Sequence, residues 1–222
     1  LLAQSEAGYV NLSDLVSQAL LATDPAQKPE ILLESLSQRP TGLLLLSGGY
    51  GSGFLGQLAW NGQVNAARRR AKWLKSVFAE NAYIELQRHG RAQEENAEAL
   101  LLALADETGL PLVATNDCHF ETEQMHVPQR VLRCIAQSER LASMSETGIT
   151  PNHYFKTAAQ MVQLFADLPE AVQNTLQIAK RCSFIVNQRK PILPSTDAAD
   201  ENAQIRHLAD DGLANRLGAI EI

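Results

Sequence analysis

The sequence predicts an α/β fold with parallel strands, and three observations carry that reading. Short apolar runs at Leu43–Leu46, Asn81–Gln87 and Leu112–Thr115 have the length and composition of buried strands. Stretches with helical periodicity fill the intervals between them, long enough to cross over and return the chain in the same direction. Each apolar run also ends abruptly in glycine or in polar side chains, so the chemistry is concentrated at the carboxyl ends of the strands, where α/β folds place their sites.

Glu6 to Ala22 carries Tyr9, Leu12, Leu15, Val16, Ala19 and Leu20 at three-and-four spacing, the pattern of an amphipathic helix. A polar stretch follows, and a second helix is expected over Pro29 to Ser37, with proline near its start. Leu43–Leu46 is apolar throughout, as a strand covered on both faces should be. Helices are expected over Phe54–Trp60 and Val64–Phe78, then the strand Asn81–Gln87, then a helix from Arg91 to Thr108 that Gly109 stops. After Leu112–Thr115 come helices over Glu121–Gln137, Ala158–Phe165 and Leu168–Cys182, the last with Asp167 and Glu170 as a capping box and Pro169 in its first turn. Gln188 to Thr196 reads as an exit linker, and Ala203–Leu217 as a final amphipathic helix.

Composition narrows the function. A net charge of -6 argues against a surface that binds nucleic acid by itself. The basic residues Arg68, Arg69, Arg70, Lys72 and Lys75 share a helix with apolar partners and read as its solvated face. The three cysteines, Cys118, Cys134 and Cys182, form no CxxC pair, which leaves a reducing compartment as the default. No apolar run approaches the length of a membrane span, and the first residues lack a signal peptide's basic region. A chain that opens on Leu1 is expected to be a piece of a longer protein.

Ser47-Gly-Gly-Tyr-Gly-Ser-Gly53 invites comparison with phosphate-binding loops, but Phe54 and Leu55 stand where a P-loop needs Lys and Ser or Thr. A third glycine of the dinucleotide fingerprint is missing as well, so a tight turn is the better reading. Asn116, Asp117 and His119 end the last strand. Residues two apart in extended chain lie about 7 Å apart on one face, so Asp117 and His119 can look at one site while Cys118 turns away. A carboxylate and an imidazole converging there suit zinc or manganese. On local sequence alone, a polar turn in which Asp117 caps the next helix is the better reading. His89 closes the preceding strand, and three polar clusters at strand ends favour a shared metal site. His126, His153 and His207 read as ordinary surface or packing residues.

Five stretches together resemble one family. They are Glu6-Ala-Gly-Tyr-Val-Asn-Leu12, Leu44-Leu-Leu-Ser-Gly-Gly49, Tyr83-Ile-Glu-Leu-Gln-Arg-His-Gly90, Leu112-Val-Ala-Thr-Asn-Asp-Cys-His119, and Leu164-Phe-Ala-Asp-Leu-Pro-Glu-Ala171 with Ile178-Ala-Lys-Arg-Cys182. In this order they resemble the PHP (polymerase and histidinol phosphatase) domain of the bacterial DNA polymerase III alpha subunit. The resemblance implies a distorted (β/α)7 barrel, incomplete here at its amino-terminal side. Residues 1–190 would be the later part of that domain, and 191–222 a linker and helix leading toward the polymerase palm. It further implies His89, Asp117 and His119 as metal ligands for zinc or manganese. Gly49 stands where the family has a ligand cysteine, and glycine has no donor to offer.

The function implied is DNA-directed DNA synthesis in chromosome replication, in the bacterial cytoplasm, with magnesium-assisted phosphoryl transfer at residues outside this stretch. DNA, deoxynucleoside triphosphates, a proofreading exonuclease subunit and a sliding clamp would be partners, and a membrane would not. The PHP segment would be a metal-dependent phosphoesterase of the 3′–5′ exonuclease kind, or its structural remnant. A free-standing phosphoesterase resembling histidinol phosphatase is the alternative, and a purely structural module without metal is a third.

Overall fold

Helices lie against both faces of a small open sheet, because the strands alternate which face they fill. A computed structural model describes residues 1–51, 53–141, 148–188, 196 and 199–218. Its described residues divide into two compact units, Leu1–Val186 and Asn187–Ile222.

In the first unit, β1 (Leu2–Ala3) pairs antiparallel with β2 (Leu43–Leu46), Leu2 opposite Leu44. β2 runs parallel to β3 (Ala82–Leu86), and β3 parallel to β4 (Leu112–Ala114), with Ile84 opposite Leu112. The order is β1-β2-β3-β4. Leu43, Leu45, Ile84, Leu86 and Ala114 point to one side and join the main core with Leu74, Phe78, Leu101 and Leu104. Leu44, Tyr83 and Val113 point to the other and pack on Ile178. The two-residue period of an extended chain produces this division, and helices on both faces explain why the strands are apolar without alternation. The described strands do not close on themselves, so they do not make the expected seven-unit barrel.

The helices are α1 (Glu6–Ala22), α2 (Leu33–Ser37), α3 (Gly56–Trp60), α4 (Val64–Phe78), α5 (Glu94–Thr108), α6 (His126–Gln137), α7 (Ala158–Leu164) and α8 (Pro169–Arg181). Ser5 caps α1 by accepting the Gly8 amide at 3.2 Å. Gly8 itself is required: a Cβ there would lie 1.8 Å from the Gly42 carbonyl oxygen. Gly109, at φ 64°, ends α5 in the left-handed conformation expected of a C-terminal glycine. α8 packs along β4, and Asn174 donates to the Leu112 carbonyl at 2.8 Å.

Several boundaries differ from the sequence reading. α2 begins at Leu33 rather than Pro29. α5 begins at Glu94 rather than Arg91, because Arg91 to Gln93 form a turn around the Glu94 carboxylate. The helix expected from Glu121 starts with a short 3₁₀ turn, Glu123–Met125. The capping box expected at Asp167 and Glu170 is not made. Leu168 is the residue before α8 and gives no side-chain cap, because Asp167 is drawn away to Arg88. A capping box that the sequence reading passed over does form at α7, between Thr157 and Gln160.

The second unit contains α9 (Glu201–Gly218), which extends the expected helix by a few residues. Asp200 starts it by accepting the amides of Asn202 and Ala203 at 3.0 and 3.1 Å. Most of the exit linker expected over 188–196 lies outside the described residues.

Candidate metal centre

The parallel register of β2, β3 and β4 brings their carboxyl ends to one edge of the sheet. At the end of β2 the Ser47 hydroxyl accepts the Glu85 amide at 2.9 Å, and the Gly48 amide donates back to the Glu85 carboxylate at 3.0 Å. Glu85 also accepts from the Thr115 hydroxyl and from Gln87 Nε2, the latter at 3.1 Å. One carboxylate thus ties three strand ends together, which explains why a charge is tolerated among core residues.

The glycine loop is packed against itself. Gly48 has φ +78°, and Cβ atoms on Gly53 or Gly56 would come within 2.2 and 2.3 Å of the backbone of Gly48 and Gly49. Its close backbone approach serves the turn and not a phosphate. At Gly49 a Cβ would sit 1.9 Å from Gln87 Oε1. Gln87, held by Glu85 and Thr115, fills the volume that a larger residue at position 49 would need.

His89 is buried at the end of β3. Its backbone amide and those of Gly90 and Arg91 converge on Glu94 Oε2 at 2.7, 2.9 and 3.3 Å. Glu94 Oε1 faces His89 Nδ1 at 3.4 Å. Burial opposes the Glu94 charge, but the hydrogen bonds from His89 and Arg91 hold its carboxyl below the ordinary carboxylate value. On the other side of the ring, His89 Nε2 lies 3.1 Å from Asn116 Oδ1. Asn116 Nδ2 donates to the Tyr154 carbonyl at 2.7 Å, which leaves its amide oxygen facing the imidazole.

Asp117 and His119 do stand together, with Asp117 Oδ2 3.2 Å from His119 Nε2, and both are solvent-accessible. Asp117 caps no helix: α6 has Met125 before its first residue and no side-chain cap. Between His119 and His89 stands His153, which the sequence reading had assigned to packing or surface. His153 is fully buried, stacks on His89 with ring centroids 3.8 Å apart, and lies 5.7 Å from the His119 ring. Arg91 donates to its Nε2 at 3.1 Å, which takes up that nitrogen's lone pair. Burial, then the nearby His89 and Arg91, push the His153 pKa down to about 4.

His89, Asp117 and His119 therefore share one neighbourhood but not one focus. Among the described residues, no three His, Cys, Asp or Glu side chains converge closely enough to hold a metal ion. In this arrangement the donors do not converge on one metal position: His89 Nε2 is engaged with Asn116, Asp117 and His119 face each other, and position 49 offers no ligand. Asn116 was grouped with Asp117 and His119 from the sequence, but Glu94 and His153 were not legible as site residues. Only the acidic side chain opening a helix after His-Gly-Arg hinted at the role of Glu94.

The chain is similar in sequence to known proteins. The PHP domain model matches residues 1–89. DNA polymerase III subunit alpha of Caulobacter vibrioides is 39% identical over 225 residues, covering 100% of this chain and 20% of that protein. The proteins of the same name from Treponema pallidum and Rickettsia bellii are 35% and 34% identical, over 99% and 98% of this chain and 19% of each relative. The chain thus spans about a fifth of the length of the relatives it matches. Residues 1–89 match the PHP domain family, and the chain is similar along essentially its whole length to part of DNA polymerase III subunit alpha of these bacteria.

Proposed function

We propose that this chain is part of the alpha subunit of a bacterial DNA polymerase III, which extends primers on DNA from deoxynucleoside triphosphates in chromosome replication. The observation that carries this is the 39% identity sustained over the whole chain with a protein of that name. A free-standing phosphoesterase would not keep that similarity beyond residue 89, where the PHP match ends. In the full-length protein, residues 1–190 belong to a distorted (β/α)7 barrel completed by chain outside these residues, and 191–222 lead toward the polymerase domain. Polymerisation uses magnesium at residues outside this chain, in the cytoplasm, with a proofreading exonuclease subunit and a sliding clamp as partners. Primer extension by the full-length protein with magnesium is the test, and a pure, folded protein that incorporates no nucleotide would refute the assignment.

Within that protein, the histidine cluster acts as a hydrogen-bonded core at the strand ends. The filled volume at Gly49 and the engagement of His89 Nε2 with Asn116 support this role. The exposed Asp117–His119 pair favours a second reading, in which these residues and His89 hold zinc or manganese for a phosphoesterase of the 3′–5′ exonuclease kind. Elemental analysis of the full-length protein and its His119→Ala variant separates the two. The structural role predicts no bound zinc or manganese in either. Stoichiometric metal that drops in the variant would select the phosphoesterase.

A further inference from the structure

Beside the histidine cluster lies a cavity of about 640 Å³ that no role above uses. Trp60, Arg91, His126, Arg130, Ile149 and Pro151 are among its lining residues, and no Asp or Glu is among the described residues that line it. In a chain of net charge -6, a concave surface with two guanidinium groups and no carboxylate among its described lining residues is a local reversal of sign. We propose that this cavity binds the phosphate group of a nucleotide, with Arg91 and Arg130 as its cationic partners.

Arg91 is held in place before any ligand arrives. Its guanidinium carbon lies 5.5 Å from the centre of the Trp60 ring, and it donates to His153 at 3.1 Å. Its Nε is buried, 3.8 Å from Glu94 Oε1, and closes no hydrogen bond. That carboxylate is engaged with three backbone amides and faces His89, so it only partly offsets the Arg91 charge. Arg130, half-buried on α6, forms no ion pair with a described carboxylate and supplies the second cation. His126 is occupied, its Nε2 bonding the Ile149 carbonyl at 3.1 Å, so it shapes the wall. Planar guanidinium groups match phosphate oxygens in pairs, and the volume is within the range of small-molecule sites. Trp60, Ile149 and Pro151 add apolar surface against which a sugar or base can rest. The cavity needs no metal at His89, Asp117 or His119, and phosphate binding there is independent of whether those residues hold one.

The test is titration of the full chain by calorimetry with deoxyadenosine monophosphate, deoxyadenosine, inorganic phosphate and a short single-stranded oligodeoxynucleotide. The monophosphate should bind saturably and deoxyadenosine should not, with inorganic phosphate competing. Arg130→Gln should weaken binding about tenfold, as loss of a charge-assisted contact does, with an unchanged melting curve. Arg91→Gln should weaken it as well. Competition by the oligonucleotide would identify a DNA strand as the source of the phosphate, and its absence a free nucleotide; either supports the proposal. No saturable binding of the monophosphate or the oligonucleotide, or equal affinity in a folded Arg130→Gln protein, would overturn it.

Discussion

The imidazole of His153 lies flat on that of His89, with 3.8 Å between ring centroids and 12° between planes. Two residues separated by 64 positions thereby share one buried site.

His153 is held neutral, its pKa pushed down to about 4 from an ordinary value near 6.5. Between those values the unfolded chain binds a proton that the folded chain refuses, so stability falls as pH drops from about 6.5 to about 4. The loss reaches at most ~3 kcal/mol. Urea denaturation across this range should show the slope, and His153→Phe, which keeps a ring for stacking, should flatten it. An equal slope in both proteins would assign the acid sensitivity to other groups.

Arg88 latches β3 to the chain before α8. It pairs with Glu98 at 2.5 Å and Asp167 at 2.7 Å, donates to the Leu164 carbonyl at 2.7 Å, and covers the buried Phe165 ring at 4.6 Å. Arg88→Met should cost ~2–4 kcal/mol, mainly by leaving Glu98 desolvated without its partner. Asp167 is exposed, and Asp167→Asn should cost less than ~1 kcal/mol. Comparable costs for the two changes, measured in urea, would contradict this division.

Gly8 and Gly49 differ in what opposes a side chain. At Gly8 the obstacle is the carbonyl of Gly42, which only a backbone shift can move, so Gly8→Ala should destabilise by ~2 kcal/mol or more despite alanine's better helix propensity. At Gly49 the obstacle is the Gln87 side chain. Gly49→Ala should therefore cost ~1–3 kcal/mol, and less when Gln87→Ala is already present. Strict additivity of the two changes in thermal or urea melts would refute the filled-volume account.

Cysteine accessibility provides a direct check on the fold. Cys118 is exposed, Cys134 is buried and Cys182 is partly covered, with burial raising its thiol pKa. A thiol reagent on the native protein should modify Cys118 first and Cys134 only when the fold opens. Rapid modification of Cys134 would place α6 differently.

Much of this protein was legible from local pattern. The all-leucine run at 43–46, the β-branched and aromatic residues of β3, and the three-and-four spacing of α4 report burial on both faces or on one, and burial follows from the side chains alone. Asp117 and His119 were also readable as neighbours, because the extended chain puts residues two apart on one face. The contents of the site were not readable, because they depend on distant segments. His153 arrives from a loop beyond α6, Asp167 leaves its own helix for Arg88, and Gln87 fills the space beside Gly49. Side-chain identity states which bonds a residue can make. Which of them it makes was decided by the tertiary structure, through the competition of partners that only folding brings within reach.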